Sequence, residues 1–162
     1  MDVNNDNNRW YLACHKPGKN SVFLLQAALV NIGVNTFAPM VRRVVDRTDS
    51  RAKRLTVELL FPGYIFIEFD IFNIPLDKIR FCRGFSHFVE FNSKITPVPD
   101  SVIEELMDLP MCLIEENVKR PARHQHTLSE QYKNQLKEIL DNNNKQERSV
   151  MMLAFIDALK DK

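Results

Sequence analysis

Three groups of residues in this chain have types and spacings that could carry chemistry. The first is nucleophilic and metal-binding in type: Cys14 beside His15, and His124 two residues before His126. Neither set closes. Cys14 and His15 are neighbours in a run that reads as a strand, where adjacent side chains point to opposite faces and cannot share a proton. His124 and His126 have no third ligand at metal-binding spacing. The second group is cationic. Arg42, Arg43, Arg47, Arg51, Lys53 and Arg54 are opposed only by Asp46 and Asp49. Such a run is ordinarily a solvated hairpin tip; its sharper reading is phosphate contact, with binding that falls as salt rises. The third group is aromatic: Phe61, Tyr64, Phe66, Phe69 and Phe72. Strand alternation cannot hide all five behind one sheet of a domain near this size. They read either as a core thickened by a second helix or as a hydrophobic docking surface needing a cover.

Nothing else suggests catalysis. The chain has no phosphate-binding loop, dinucleotide fingerprint, zincin motif or nucleophile elbow. No acid–base set meets the geometric requirements of an active site. We therefore expect no catalytic residue, no cofactor and no metal.

The elements that must position these residues follow from composition and pattern. The 162 residues are 44% hydrophobic and 27% charged, the balance of an ordinary globular protein, with a formal net charge of +1. A polyanion would have to be met by a local patch. Three cysteines without a CxxC pair fit a reducing compartment, and a polar start with no apolar span argues for a cytoplasmic chain with no membrane contact. All four glycines fall at or before Gly84, and Pro110 and Pro121 bracket a polar stretch. We divide the chain into an extension at 1–8, a domain at 9–109, a linker at 110–126 and a C-terminal unit at 127–162.

Trp10 to His15 reads as a strand stopped by Lys16-Pro17-Gly18. Ser21 is placed to cap a helix carrying Val22, Leu25, Leu29 and Ile32, with Gly33 at its left-handed end. Asn35–Val45, Leu55–Leu60, Tyr64–Phe69 and Phe85–Phe91 read as strands, and Ser101 with Glu104 as a capping box for a further helix. The fold class is α+β, an antiparallel sheet with helices on one face. In the tail, Thr127 with Glu130 reads as another capping box, ahead of Leu128, Tyr132, Leu136, Ile139 and Leu140 on one helical stripe. A turn at Asn142–Asn144 leads into the apolar run Val150–Ile156. Without glycine a small barrel would turn too tightly here, so a helical hairpin is expected.

Several segments resemble one family. Trp10-Tyr11-Leu12, Phe37-Ala38-Pro39-Met40, Leu60-Phe61-Pro62-Gly63-Tyr64-Ile65-Phe66-Ile67 and Arg83-Gly84-Phe85-Ser86-His87-Phe88-Val89 are similar in order and spacing to the NusG family of transcription elongation factors. The likeness covers about residues 9–109 and is nearer to the specialised RfaH branch, which Glu147-Arg148-Ser149-Val150-Met151-Met152-Leu153 also resembles. It implies a non-enzymatic monomer that binds the β′ clamp helices of bacterial RNA polymerase and suppresses pausing and termination in a restricted set of operons. The polymerase-facing positions are then Phe61, Tyr64, Phe66, Phe91, Ile103 and Leu106. Lys16 and Arg83, with Lys19 beside them, would meet the non-template DNA strand. Ala28 and Asn31 depart from the RfaH residues at DNA-facing positions. Pro75-Leu76-Asp77-Lys78 replaces the segment that meets the polymerase β gate loop. The resemblance also implies a C-terminal unit that masks the polymerase site as a helical hairpin and refolds to a β-barrel on release, with ribosomal protein S10 as a further partner. Glu58 and Arg148 stand where RfaH-like members form an interdomain salt bridge. The rival reading from another class is a stand-alone nucleic-acid-binding module using the Arg42–Arg54 stretch.

Overall fold

The computed structural model describes residues 7–46, 49, 51–108, 112–113 and 128–160. Its centre is an antiparallel sheet in which β1 (Arg9–His15) lies between β5 (Tyr64–Phe69) and β6 (Phe85–Phe88), with β2 (Asn35–Phe37) outside β5. The β1–β5 register sets Leu12 opposite Phe66 and Ala13 opposite Ile65. Side chains alternate between faces along each strand, so this register sorts the apolar residues into two layers. Tyr11, Ala13, Ile65, Ile67 and Phe69 join one buried cluster, while Trp10, Leu12, Phe37 and Phe66 join another.

The first layer is covered by α1 (Ser21–Asn31) through Val22, Leu25 and Leu29, and by Ile79 of the short α2 (Leu76–Arg80). The second is covered by α3 (Asp100–Met107) and by the C-terminal pair α4 (Glu130–Asp141) and α5 (Lys145–Lys160). The α+β class with an antiparallel sheet therefore holds, with one correction: helices lie on both faces. Both sides of β5 are apolar, and each demands its own cover.

Other strands extend this body. A long hairpin pairs β3 (Met40–Asp46) with β4 (Lys53–Leu59), from Met40↔Leu59 to Asp46↔Lys53. Within the segment read as a linker, β9 (Cys112–Leu113) pairs with Met40 and Val41 of β3. The expected strand Phe85–Phe91 is interrupted: after β6 come β7 (Glu90–Phe91) and β8 (Lys94–Ile95), joined by Asn92 and Ser93 at φ 52° and 61°. Positive φ at both central residues is what a tight two-residue hairpin requires.

Helix ends show where local signals were misread. Gly33, at φ +82°, ends α1 as expected, with Val34 N–H donating to Leu29 O and Gly33 N–H to Val30 O. Ser21 does not cap α1; it is the first helical residue, and its hydroxyl donates to Pro17 O. Ser101 and Glu104 form no capping box, because α3 already starts at Asp100 behind Pro99. The fixed φ of proline starts that helix, and the Asp100 carboxylate favours its positive end. Ser129 caps α4, accepting from Tyr132 N–H at 3.4 Å, while Thr127, the expected cap, lies outside the described residues. The apolar run Val150–Ile156 lies inside the longer α5. Among the described residues no helix is long and apolar enough to cross a membrane.

Candidate functional site

The second layer of the sheet is the first feature with functional content. Phe61, Phe66, Phe91, Ile103 and Leu106 are all buried in one cluster with Trp10 and Leu12, and Tyr64 packs against it half-buried. The same cluster contains Leu128, Leu136, Ile139, Met152, Phe155 and Ile156 of the C-terminal unit. Apolar residues of the sheet domain and of the hairpin thus share one core. Phe69 does not belong to this surface; it packs on the opposite layer against Tyr11, with ring centroids 4.9 Å apart. Phe72 belongs to neither layer. It is 85% exposed in a turn held by the buried Asp70 carboxylate, which accepts from Phe72 N–H and the Asn73 side chain. Strand alternation stops at Phe69, so the aromatic cluster divides three ways.

A buried cation crosses the seam between sheet and hairpin. Arg148 is 0% exposed and reaches three acceptors: Leu60 O at 3.0 Å through Nε, Asn142 O at 2.9 Å, and Glu58 Oε1 at 3.3 Å. Glu58 remains 31% exposed. Sequence reading named the ion pair alone, and no residue pattern announced the two carbonyls. A second bridge, Lys133 Nζ to Glu105 at 3.7 Å, joins α4 to α3 and was not anticipated. The asparagine turn positions Arg148: Asn144 Oδ1 accepts from the N–H groups of Gln146 and Glu147 at the start of α5.

Beneath the hairpin side, Cys14 stands opposite Tyr64. Burial pushes its thiol up to about 11 from 9.0, away from reactivity. Tyr64 is likewise raised by burial, with Cys14 adding to the shift. His15 Nδ1 lies 2.9 Å from Lys16 O, and His87 is exposed beside Ser86. His124 and His126 lie outside the described residues.

The cationic candidates fall at another edge. Lys16 N–H donates to Gly84 O at 2.7 Å, which brings the end of β1 against the Arg83-Gly84 turn. Gly84 sits at φ +89°, and a Cβ there would meet Ser21 O at 2.7 Å. Only glycine lets this turn lie so close to the first turn of α1. Lys16 and Arg83 consequently line one concavity, together with Pro17, Ser21, Leu24, Arg80, Phe81, Cys82, Gly84 and Phe85. Lys19 is exposed near α1 but does not line it. Of the Arg42–Arg54 stretch, Arg42, Arg51 and Lys53 are exposed on or beside the β3–β4 hairpin. Arg47 lies outside the described residues, and the side chains of Arg43 and Arg54 are likewise not described.

A four-stranded antiparallel sheet with one face covered by α1 and α2 and one apolar face shared with the C-terminal helices defines a domain of α+β type. The family model for transcription termination factor nusG matches residues 8–107, more than half of the chain, and the protein belongs to the NusG family. It is a transcription termination and elongation factor in the general sense of that family, whose members are non-enzymatic and interact with RNA polymerase.

Proposed function

We propose that this protein is an RfaH-like specialised member, an antitermination factor held closed by its own C-terminal hairpin. Its apolar face, with Phe61, Tyr64, Phe66, Phe91, Ile103 and Leu106, docks on the β′ clamp helices of bacterial RNA polymerase. Lys16, Lys19 and Arg83 meet the exposed non-template strand, and pausing and termination fall in a restricted set of operons. Glu58 and Arg148 latch the hairpin over the docking face; released, the hairpin refolds to a barrel able to recruit ribosomal protein S10. The polymerase β gate loop is a further contact, and the factor acts as a cytoplasmic monomer.

One observation carries this reading. The apolar layer of the family-matched domain runs without a break into the cores of α4 and α5. A surface that binds a partner by aromatic and aliphatic anchors is a liability while free, and a tethered amphipathic hairpin answers it. The buried Arg148, bonded to both units, supports the same reading.

The test is binding of isolated clamp helices to the full chain and to its Glu58→Ser variant, with tail conformation followed by NMR. Weak binding by the parent and faster binding by the variant are expected. Equal, tight binding by both would remove autoinhibition; absence of binding by both, with no change in transcription through a pause-rich template, would remove the polymerase reading.

A further inference from the structure

Phe81 is the most exposed large apolar side chain described, at 88%, and its surroundings are those of a binding edge rather than a stray surface ring. It caps the C-terminal end of α2, where its N–H donates to Asp77 O at 3.0 Å, so its backbone is fixed. It lines a concavity of about 480 Å³ together with Lys16, Arg80 and Arg83. Arg80 is committed elsewhere, paired with Asp77 at 3.2 Å and lying 5.8 Å over the Phe88 ring. Among the described residues, no ion pair engages Lys16 or Arg83. Phe72, nearly as exposed, does not line this concavity.

We infer that Phe81 is a stacking platform for one unpaired base of a single-stranded nucleic acid whose phosphates are met by Lys16 and Arg83. A base presents an apolar face that needs a flat, rigid partner, and its backbone presents the charge that two unpaired cations complement. The concavity lies within the size range of pockets that hold small ligands. A phenyl ring reads no hydrogen-bond edge, so Phe81 contributes affinity and register for an extruded base, and base identity must come from elsewhere. The inference deepens the proposed non-template contact and rests on it.

The test uses elongation complexes of RNA polymerase whose exposed non-template strand carries 2-aminopurine at one position at a time. Recruitment of the full chain is scored by mobility shift and stacking by fluorescence. At one position fluorescence should change on recruitment of the parent and of Phe81→Trp, but not of Phe81→Ala. Phe81→Ala should weaken recruitment about tenfold, the scale of one base–aromatic stack, with its salt dependence unchanged. An abasic nucleotide at that position should cost nothing further in Phe81→Ala. A recruited chain with no Phe81-dependent position overturns the stacking platform and leaves the polymerase reading standing. A chain that is never recruited, as the parent or as Glu58→Ser, overturns both.

Discussion

The two faces of the central sheet look alike in composition and differ in how they are closed. On one, Leu25 and Leu29 of α1 and Ile79 of α2 cover Tyr11, Ala13 and Ile67, all from the family-matched domain. On the other, Trp10, Leu12 and Phe66 meet α3 and then Met152, Phe155 and Ile156 from a different part of the chain. The first face is closed by apolar contacts and one buried neutral hydrogen bond, from Gln26 Nε2 of α1 to Thr36 Oγ1 of β2 at 3.4 Å. The second adds a buried guanidinium bonded to Leu60 O and Asn142 O. Removing apolar surface from water is favourable on both faces, but burying a charge costs heavily unless every hydrogen bond is met. Polar contacts at a seam keep its two sides compatible with water when they separate.

The largest test of this contrast deletes equivalent bulk from each face. Leu25→Ala and Ile156→Ala should each cost about 2–5 kcal/mol. Leu25→Ala should lower hydrogen-exchange protection throughout the sheet, whereas Ile156→Ala should lower it in α4 and α5 and spare β1 and β5. Uniform loss in both variants would make the two faces one cooperative core and end the distinction.

Arg148→Met comes next. It removes the charge and the guanidinium's bonds to the Leu60 and Asn142 carbonyls, so hairpin docking should weaken by about 1–3 kcal/mol, read as loss of protection in α5. Unchanged protection would reduce the guanidinium to a passenger.

Glu58→Ser should do less. Its carboxylate is 31% exposed while Arg148 is fully buried, and with both carbonyls still bonded to the guanidinium its loss should cost less than Arg148→Met. The expected result is a small rise in the open population by NMR. An effect as large as that of Arg148→Met would mean the ion pair, not the carbonyl bonds, closes the seam.

The last test is in alkali. Burial raises the Cys14 thiol to about 11 from 9.0, so the folded chain holds a proton that the unfolded chain releases first. This contribution is intact below about pH 9 and is lost progressively as pH rises towards about 11. Cys14→Ala should flatten the fall in stability across that window in denaturant titrations. An unchanged slope would show that Cys14 stays hydrated beside Tyr64.

Much of this was legible in the sequence. The order of strands, the end of α1 at Gly33, the helical character of the tail and the apolar doubling of β5 follow from periodicity and turn chemistry. What escaped was decided by tertiary context. The five residues of α2 are too few to show a helical period, and Pro75 before them reads as a turn. Ser101 and Thr127 have the spacing of capping residues, but Pro99 and Ser129 set the actual starts, and both choices satisfy the same local rule. Alternation along β5 shows that two faces are apolar without saying which elements cover them. Phe81 stood out in no pattern, because it shares a concavity with Lys16 and Arg83 only through the close approach of Lys16 to Gly84.

The sharing of Arg148 between Asn142 O and Leu60 O has a kinetic consequence. One bond closes the turn between α4 and α5; the other joins that turn to the sheet domain. Undocking breaks the bond to Leu60 O and lets water compete for the guanidinium, which weakens the brace that its bond to Asn142 O gives the turn. Helices of twelve and sixteen residues are marginal alone in water, and losing the brace shortens the life of the hairpin once it lifts away. Departure should be a single activated event rather than gradual fraying from one end. Its rate should follow one exponential, with α4 and α5 amides exchanging together.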